Sequence, residues 1–187
     1  MVDRARAGDM GAFEGLVRRH QGRVFTLALR MLGDRAEAED MAQEIFLKAY
    51  RGLKAFRGAS RFSTWLHAIA SHHCLNHLEA RRRRPLQSAR GGGRPDRAGN
   101  DPPAPLDRLA DDAPRADQLM ERADLARLVQ AELAHLTEEH RLVLILRDIQ
   151  GLSYEEIAET LGLELGTVRS RLHRARMEMK ARLAPHL

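Results

Sequence analysis

The residues best suited to recognition chemistry crowd together between Leu152 and Arg176, in the run LSYEEIAETLGLELGTVRSRLHRAR. Arg169, Arg171, Arg174 and Arg176 can each donate to phosphate oxygens or to the O6/N7 edge of guanine, and Thr167, Ser170 and His173 lie among them as shorter polar contacts. Their spacing gives the chemistry a direction. At about 100° per residue, Val168, Leu172, Ala175 and Met179 gather on one side of a helix. Ser170, His173 and Arg174 fall on the opposite side, with Arg169, Arg171 and Arg176 along the flanks. The run before this helix reads as a shorter one. Ser153 and Glu156 form an S-x-x-E capping box, Leu152 and Ile157 occupy the places of a hydrophobic staple, and Gly162 supplies the left-handed residue that ends the helix. Two short helices, a tight turn and a basic front make a helix-turn-helix, whose second helix, starting near Gly166-Thr167, suits a major groove.

A second set of residues suits single-stranded nucleic acid. Phe56-Arg57-Gly58-Ala59-Ser60 breaks the helical pattern, and a helix then runs from Phe62 through Trp65, Ile69 and Leu78 into Arg81, Arg82, Arg83 and Arg84, stopping before Pro85. Arginines can follow a phosphate backbone while a flat side chain receives an unstacked base. Phe56, beside a glycine in a loop, is the aromatic expected to touch DNA, and Trp65 is expected in the core. A third set is acidic: Glu37, Glu39, Asp40, Gln43 and Glu44 face away from a buried stripe. On a basic chain such a face is either a solvated surface or a docking surface. His73 and His77 stand at i, i+4 and could share a metal, but no carboxylate or second cysteine completes a ligand set at the usual spacing. The chain carries no H-E-x-x-H, no G-x-x-x-x-G-K-[ST], no nucleophile elbow and no paired carboxylates that stand out. Neither a metal, a cofactor nor an enzymatic activity is expected.

The elements that position these residues are all helical. Phe13, Leu16, Val17, Val24, Leu27, Ala28 and Met31 mark a helix from Asp9 to Leu32 closed by Gly33. Asp34 caps the next, with Ala38, Met41, Ala42, Ile45, Phe46, Ala49 and Leu53 as its buried stripe. Residues 85 to about 114 hold six of the seven prolines and the run Gly91-Gly92-Gly93, and read as a linker unable to bury a core. Beyond it, Leu119, Ala123, Ala126, Val129, Leu133 and Leu136 mark a helix. Thr137 caps another, carrying Leu142 to Leu146 and Ile149 and closed by Gly151. The fold class is all-α: two small helical bundles, residues 1–84 and 117–187, joined by a flexible linker over 85–116. The 187 residues are 43% hydrophobic but only 4% aromatic, which fits such bundles better than a sheet. Net charge is +5, which favours a polyanionic partner. One cysteine, Cys74, excludes an internal disulfide, and no apolar run reaches the length of a membrane span, so a cytoplasmic protein without membrane insertion is expected.

AEDMAQEIFLKAYRGL, FRGASRFSTWLHAIA and the helix-turn-helix run, in this order and on either side of a linker, resemble bacterial sigma factors of the extracytoplasmic-function (ECF) group, within the sigma-70 family. The resemblance covers nearly the whole chain outside the linker. It implies a first domain (region 2) that binds the β′ clamp of core RNA polymerase and captures the melted −10 element of promoter DNA. It implies a second domain (region 4) that grips the −35 duplex and the β flap, and a linker that threads toward the active-site cleft. Asp40, Gln43 and Glu44 match the clamp-binding segment. Phe56, Arg57 and Ser60 fall in the loop that holds a flipped −10 base, with Asn76 on the same site and Arg81 and Arg82 near its phosphates. Thr167, Arg169, Ser170, Arg171, His173, Arg174 and Arg176 cover the −35 recognition positions. The chain departs from the pattern at His72-His73, where members often have Asn-Thr and the asparagine helps form the base pocket; the departure bears on which −10 base is preferred, not on the role. The group is commonly held inactive by an anti-sigma factor, which the resemblance adds as a partner.

Two other classes compete. A stand-alone helix-turn-helix regulator would bind a palindrome as a dimer without polymerase, yet the first domain shows neither a ligand-pocket signature nor dimer heptads. A metal-dependent nucleic-acid enzyme built on His73 and His77 would lack both a ligand set and a base.

Overall fold

The computed structural model describes residues 1–83 and 116–186, and every element in them is helical. The linker expected over 85–116, apart from its last residue, and Arg84 lie outside the described residues. Eight α-helices follow in order: α1 (Val2–Arg6), α2 (Met10–Leu32), α3 (Arg35–Gly52), α4 (Phe62–Arg83), α5 (Ala116–Ala134), α6 (Glu138–Leu144), α7 (Tyr154–Leu161) and α8 (Leu165–Leu183). Short polar side chains set where they start. Asp9, Asp34 and Thr137 accept from the backbone N–H groups of Ala12, Glu37 and His140, each three residues on. Gly33 closes α2 and Gly162 closes α7 with φ of 82° and 63°, a conformation that any side chain would strain. Helix α1 carries too few apolar residues to show a period in the sequence. It is fixed by tertiary contact: Ala5 is buried, and Arg4 pairs with the cap residue Asp9 at 2.7 Å.

The first domain packs α2, α3 and α4 around Leu27, Met31, Ile45, Leu53 and Leu66. The second packs α6, α7 and α8 around Leu142, Ile145, Leu146, Ile157 and Leu172. The helix expected to run unbroken to Ile149 instead passes at Ile145 into a π-helical turn, Ile145–Ile149, in which Gln150 N–H reaches back five residues to Ile145 O at 2.9 Å. The wider turn lets Ile145 and Leu146 stay buried while Arg147 bonds Leu152 O at 2.7 Å and lies 5.0 Å over the Tyr154 ring. Hydrophobic period alone cannot reveal one inserted residue.

The two domains pack against each other, joining α2 to α5 and α6, and α4 to α7. Arg141 of α6 sits in this seam with only 9% of its surface exposed. Its guanidinium donates to Met31 O of α2 at 2.5 Å, and to Ala134 O and Leu136 O at 2.8 and 3.1 Å. Met31 and Ala134 lie at the C-terminal ends of α2 and α5, where carbonyls lack helical partners and the helix dipole favours a cation. Burial pushes the Arg141 pKa below its ordinary value, but a guanidinium remains charged. Arg30 and Gln130 bond across the same seam at 3.0 Å, Gln150 reaches Arg23 O at 3.1 Å, and Arg61 pairs with Glu156 at 3.7 Å. The match is imperfect. Arg30 Nε, Arg141 Nε, Ser71 Oγ and Thr160 Oγ1 are buried without a hydrogen-bond partner among the described residues, each at a cost of about 1–3 kcal/mol.

His67 of α4 is buried in this seam, with Gln150 and Glu156 of the second domain and His20 and Arg23 of α2 as its polar and charged neighbours. Burial first, then the nearby positive charge of Arg23, holds its pKa below the ordinary 6.5. A histidine kept neutral when packed takes up a proton more readily once the packing opens. The seam is therefore at full strength above pH 6.5 and weakens as pH falls below that value. The His67 contribution is a slope of up to ~1.4 kcal/mol per pH unit. Thermal unfolding followed between pH 8 and 5.5 should show the loss, and His67→Gln, neutral throughout, should flatten it. An equal slope in both proteins would remove His67 from the account.

Candidate nucleic-acid interface

The helix-turn-helix has its expected capping box: Ser153 N–H donates to Glu156 Oε2 at 2.8 Å and Glu156 N–H to Ser153 Oγ at 3.1 Å. Helix α8 buries Val168, Leu172, Ala175 and Met179. Arg169, Ser170, His173 and Arg174 are exposed, and Thr167 is half-buried. Ser170 Oγ donates to Thr167 O at 3.0 Å, which leaves its oxygen free to accept. Two flanking arginines are engaged within the protein. Arg171 meets Glu139 at 2.9 Å, and Arg176 forms a two-pronged pair with Asp148 at 3.1 and 2.5 Å. The hydrogen bond to Asp148 holds the Arg176 pKa above its usual value. The π turn is what presents Asp148. Both arginines brace α8 on its support, so a DNA contact from either must compete with an existing ion pair, whereas Arg169 and Arg174 have none among the described residues. Met177, 55% exposed, follows Ser170, His173 and Arg174 on the front and was not marked by the sequence because its neighbour Met179 took the apolar role.

On the first domain, Trp65, Ile69, His72, Asn76 and Arg83 recur at helical spacing along one face of α4. His72 and Asn76 are exposed, as is Arg57 in the preceding loop, while Ser60 is half-buried. The two aromatics are placed differently: Phe56 is buried, and Trp65 is half-buried against the core. Phe56 is 8% exposed, its ring 5.0 Å from Trp65 and 6.1 Å from Phe62, and its carbonyl accepts from Arg6 at 3.3 Å. A ring so enclosed cannot stack on a base, and the expectation that Phe56 touches DNA is corrected: it supports the loop from below. Trp65 is only half-buried and lies against Gly52, where a Cβ would stand 3.3 Å from the indole. Trp65 shares a face of α4 with His72 and Asn76, two and three turns away. The signal was available in its spacing of seven and eleven residues from the two polar positions. Arg81 has a competing partner. Half a turn away from His72, exposed Arg81 pairs with Glu37 of α3 at 3.2 Å, and Arg82 is exposed as well.

Helix α3 shows the acidic face. Asp40, Gln43 and Glu44 are exposed on one stripe with Leu47, 55% exposed among charges, and Arg51. Leu47 falls off the buried period and has no packing reason to be apolar. His73 ties this face to α4: Nε2 lies 2.8 Å from Glu44 and Nδ1 2.9 Å from Lys48. Because the Lys48 ammonium can only donate, Nδ1 accepts, which fixes the proton on Nε2 toward Glu44. His77 lies 3.9 Å from Glu37, so His73 and His77 turn to separate carboxylates. Among the described residues, no three His, Cys, Asp or Glu side chains converge as a metal site requires. Cys74 is buried, and burial pushes its thiol up to about 12, which leaves it a poor nucleophile at neutral pH. No helix among the described residues is long and apolar enough to cross a membrane.

Two family models match in order along the chain: sigma-70 region 2 over residues 16–84 and sigma-70 region 4 over residues 126–179. The RNA polymerase sigma-H factor of Pseudomonas aeruginosa is 40% identical over 188 residues, covering 100% of this chain and 94% of that protein. The ECF RNA polymerase sigma-E factor of Escherichia coli is 36% identical over 194 residues, covering 99% and 93%. The chain belongs to the ECF group of the sigma-70 family. It is a sigma factor of RNA polymerase, a transcription initiation factor. The fold agrees with solved relatives. CnrH in complex with the cytosolic domain of CnrY superposes with a TM-score of 0.68 at 26% identity, covering 98% of this chain and 95% of that one. The sigma factor RpoE from Bartonella quintana, in complex with the anti-sigma factor NepR, superposes at 0.69 and 23% identity, covering 92% and 97%. Region 2 takes in the α3 stripe and the α4 face of this sigma factor, and region 4 takes in its helix-turn-helix.

Proposed function

We propose that this sigma factor docks on the β′ clamp of core RNA polymerase through Asp40, Gln43, Glu44 and Leu47, with its second domain against the β flap. It reads the −35 duplex with Arg169, Ser170, His173 and Arg174, and the melted −10 strand with Arg57, Trp65, His72 and Asn76. The observation that carries the reading is the separation of three exposed faces. A basic helix suited to a major groove, an aromatic and amide face suited to an unstacked base, and an acidic stripe with an apolar centre stand on α8, α4 and α3. Each contact can be weak, because joining them through polymerase raises the effective concentration of each for its site. The regulon is a stress or envelope response, and an anti-sigma factor holds the protein inactive in the cytoplasm until the signal arrives. Purified protein added to core polymerase should direct initiation from a defined promoter that core alone ignores; specific duplex binding as a dimer without polymerase would overturn the reading.

The recognition helix gives the sharper measurement. Arg174→Ala should weaken binding to a −35 duplex by about 1–3 kcal/mol and relax the preference at one base pair. Arg171→Ala and Arg176→Ala remove bracing arginines, so their losses should be smaller and even across sequences. Binding unchanged in all three would remove α8 from the groove.

A further inference from the structure

The carboxylates along α3, Glu37, Glu39, Asp40 and Glu44, are not treated alike by the fold. Glu39 is met by Arg35 at 3.0 Å and Glu37 by Arg81 at 3.2 Å, so the charge of each is compensated within the protein. Asp40 enters no ion pair with an arginine or lysine among the described residues. Glu44 meets the imidazole of His73 at 2.8 Å, and that ring is neutral: Nδ1 accepts from the Lys48 ammonium at 2.9 Å, and the proton lies on Nε2. Glu44 and Lys48 stand at i, i+4 with the glutamate first, the order in which such a pair closes most readily on a helix. Here the pair does not close. The His73 ring reaches across from α4 and bonds both side chains, one on each nitrogen. Its own side chain is 15% exposed, while that of Glu44 is 62% exposed.

We propose that His73 is a positioning residue for polymerase docking: it holds Lys48 off Glu44, so that Glu44 presents an uncompensated negative charge to a basic surface on core polymerase. A direct Lys48–Glu44 pair would cancel that charge at the surface. The neutral Nε2–H instead donates to Oε2 and leaves the carboxylate its whole charge. Oε1 has no hydrogen-bond partner among the described residues and can accept from a cation of the partner in a charge-assisted bond. A carboxylate already held in one rotamer also loses less entropy when it docks. Lys48, tied to His73, is drawn toward α4 and away from the stripe. In this role His73 touches neither polymerase nor DNA and acts through Glu44. The acidic run divides accordingly: Glu37 and Glu39 serve the protein's own ion pairs, and Asp40 and Glu44 are left for a partner.

The proposal rests on the docking reading of α3, and the variants separate the two. His73→Leu keeps bulk and neutrality but makes neither hydrogen bond, so Lys48 can close on Glu44. Its affinity for core polymerase, measured by fluorescence anisotropy, should fall by about threefold to fivefold. His73→Gln, whose amide can donate to Glu44 and accept from Lys48, should recover most of that loss. The deciding measurement is Lys48→Met. Alone it should change core affinity little, because His73 already keeps the ammonium off Glu44. In the His73→Leu background it should restore affinity, because the competing cation is gone. A histidine with a merely structural role would show no such rescue, since Lys48→Met repairs no packing. In a Glu44→Gln background, His73→Leu should have no further effect. Unchanged affinity in His73→Leu, a loss that Lys48→Met does not restore, or an equal gain from Lys48→Met in both backgrounds overturns the proposal. If Asp40→Lys and Leu47→Asp also bind core fully, the docking reading has failed and the role of His73 falls with it. If those two lose binding while His73→Leu does not, the role of His73 alone falls.

Discussion

Reversing Asp40 and Glu44 to lysine should weaken association with core RNA polymerase by at least about tenfold, ~1.4 kcal/mol, while the melting temperature stays nearly unchanged. Both residues are exposed, and the Glu44 side chain is 62% accessible even with His73 at 2.8 Å. Exposed ion pairs contribute at most ~1 kcal/mol to folding, so the fold has little to lose. Leu47→Asp provides the complementary case, because it removes the apolar centre of the stripe and leaves Asp40 and Glu44 in place. It should cost as much affinity as the double reversal, since a leucine left 55% exposed among the described residues gains its burial in a complex. Association measured by fluorescence anisotropy or native gel shift, beside thermal unfolding, separates the outcomes. Full core binding in both variants, or loss of binding that tracks loss of helicity, would return α3 to the role of a solvated face.

The sequence was most legible where chemistry is local. Asp9, Asp34, Thr137 and Ser153 cap because each side chain reaches an N–H three residues away, and Gly33 and Gly162 end helices because φ there is positive. The apolar stripe and basic front of α8 follow from its 3.6-residue period in the same way. What was hidden depends on neighbours far along the chain. Phe56 and Trp65 look alike in sequence, and only the packing of Phe62, Gly52 and Arg6 around them decides which ring is enclosed. Arg171 and Arg176 look like groove arginines until Glu139 and Asp148 come within reach, the latter through a π turn that no periodicity marks. Arg141, one arginine among many, becomes the centre of a seam because Met31 lies 110 residues earlier.

Promoter melting is where this sigma factor should part from a simple duplex-binding protein, and Asn76→Ala is expected to show it. Extruding a base costs a few kcal/mol of stacking and pairing, to be offset by contacts that exist only with the base out. Asn76 offers both a donor and an acceptor to an exposed base edge from the same face as His72 and Trp65. Losing that pairing, at about 1–3 kcal/mol, should lower the yield of open complex by tenfold or more. Asn76 is exposed, so stability, core association and −35 duplex binding should hold. Phe56→Ala should behave differently. It empties an enclosed position between Phe62 and Trp65 and should destabilise the first domain by about 3–5 kcal/mol, so any melting defect there comes with a lowered melting temperature. Permanganate footprinting on a duplex promoter would report the loss of reactive thymines in both variants, and unfolding curves would tell them apart. On a template with a pre-melted bubble, Asn76→Ala should stay defective if the amide chiefly holds the flipped base, and recover if it acts in nucleating the opening. A normal bubble from Asn76→Ala on the closed duplex would show that this face of α4 is not the −10 reader.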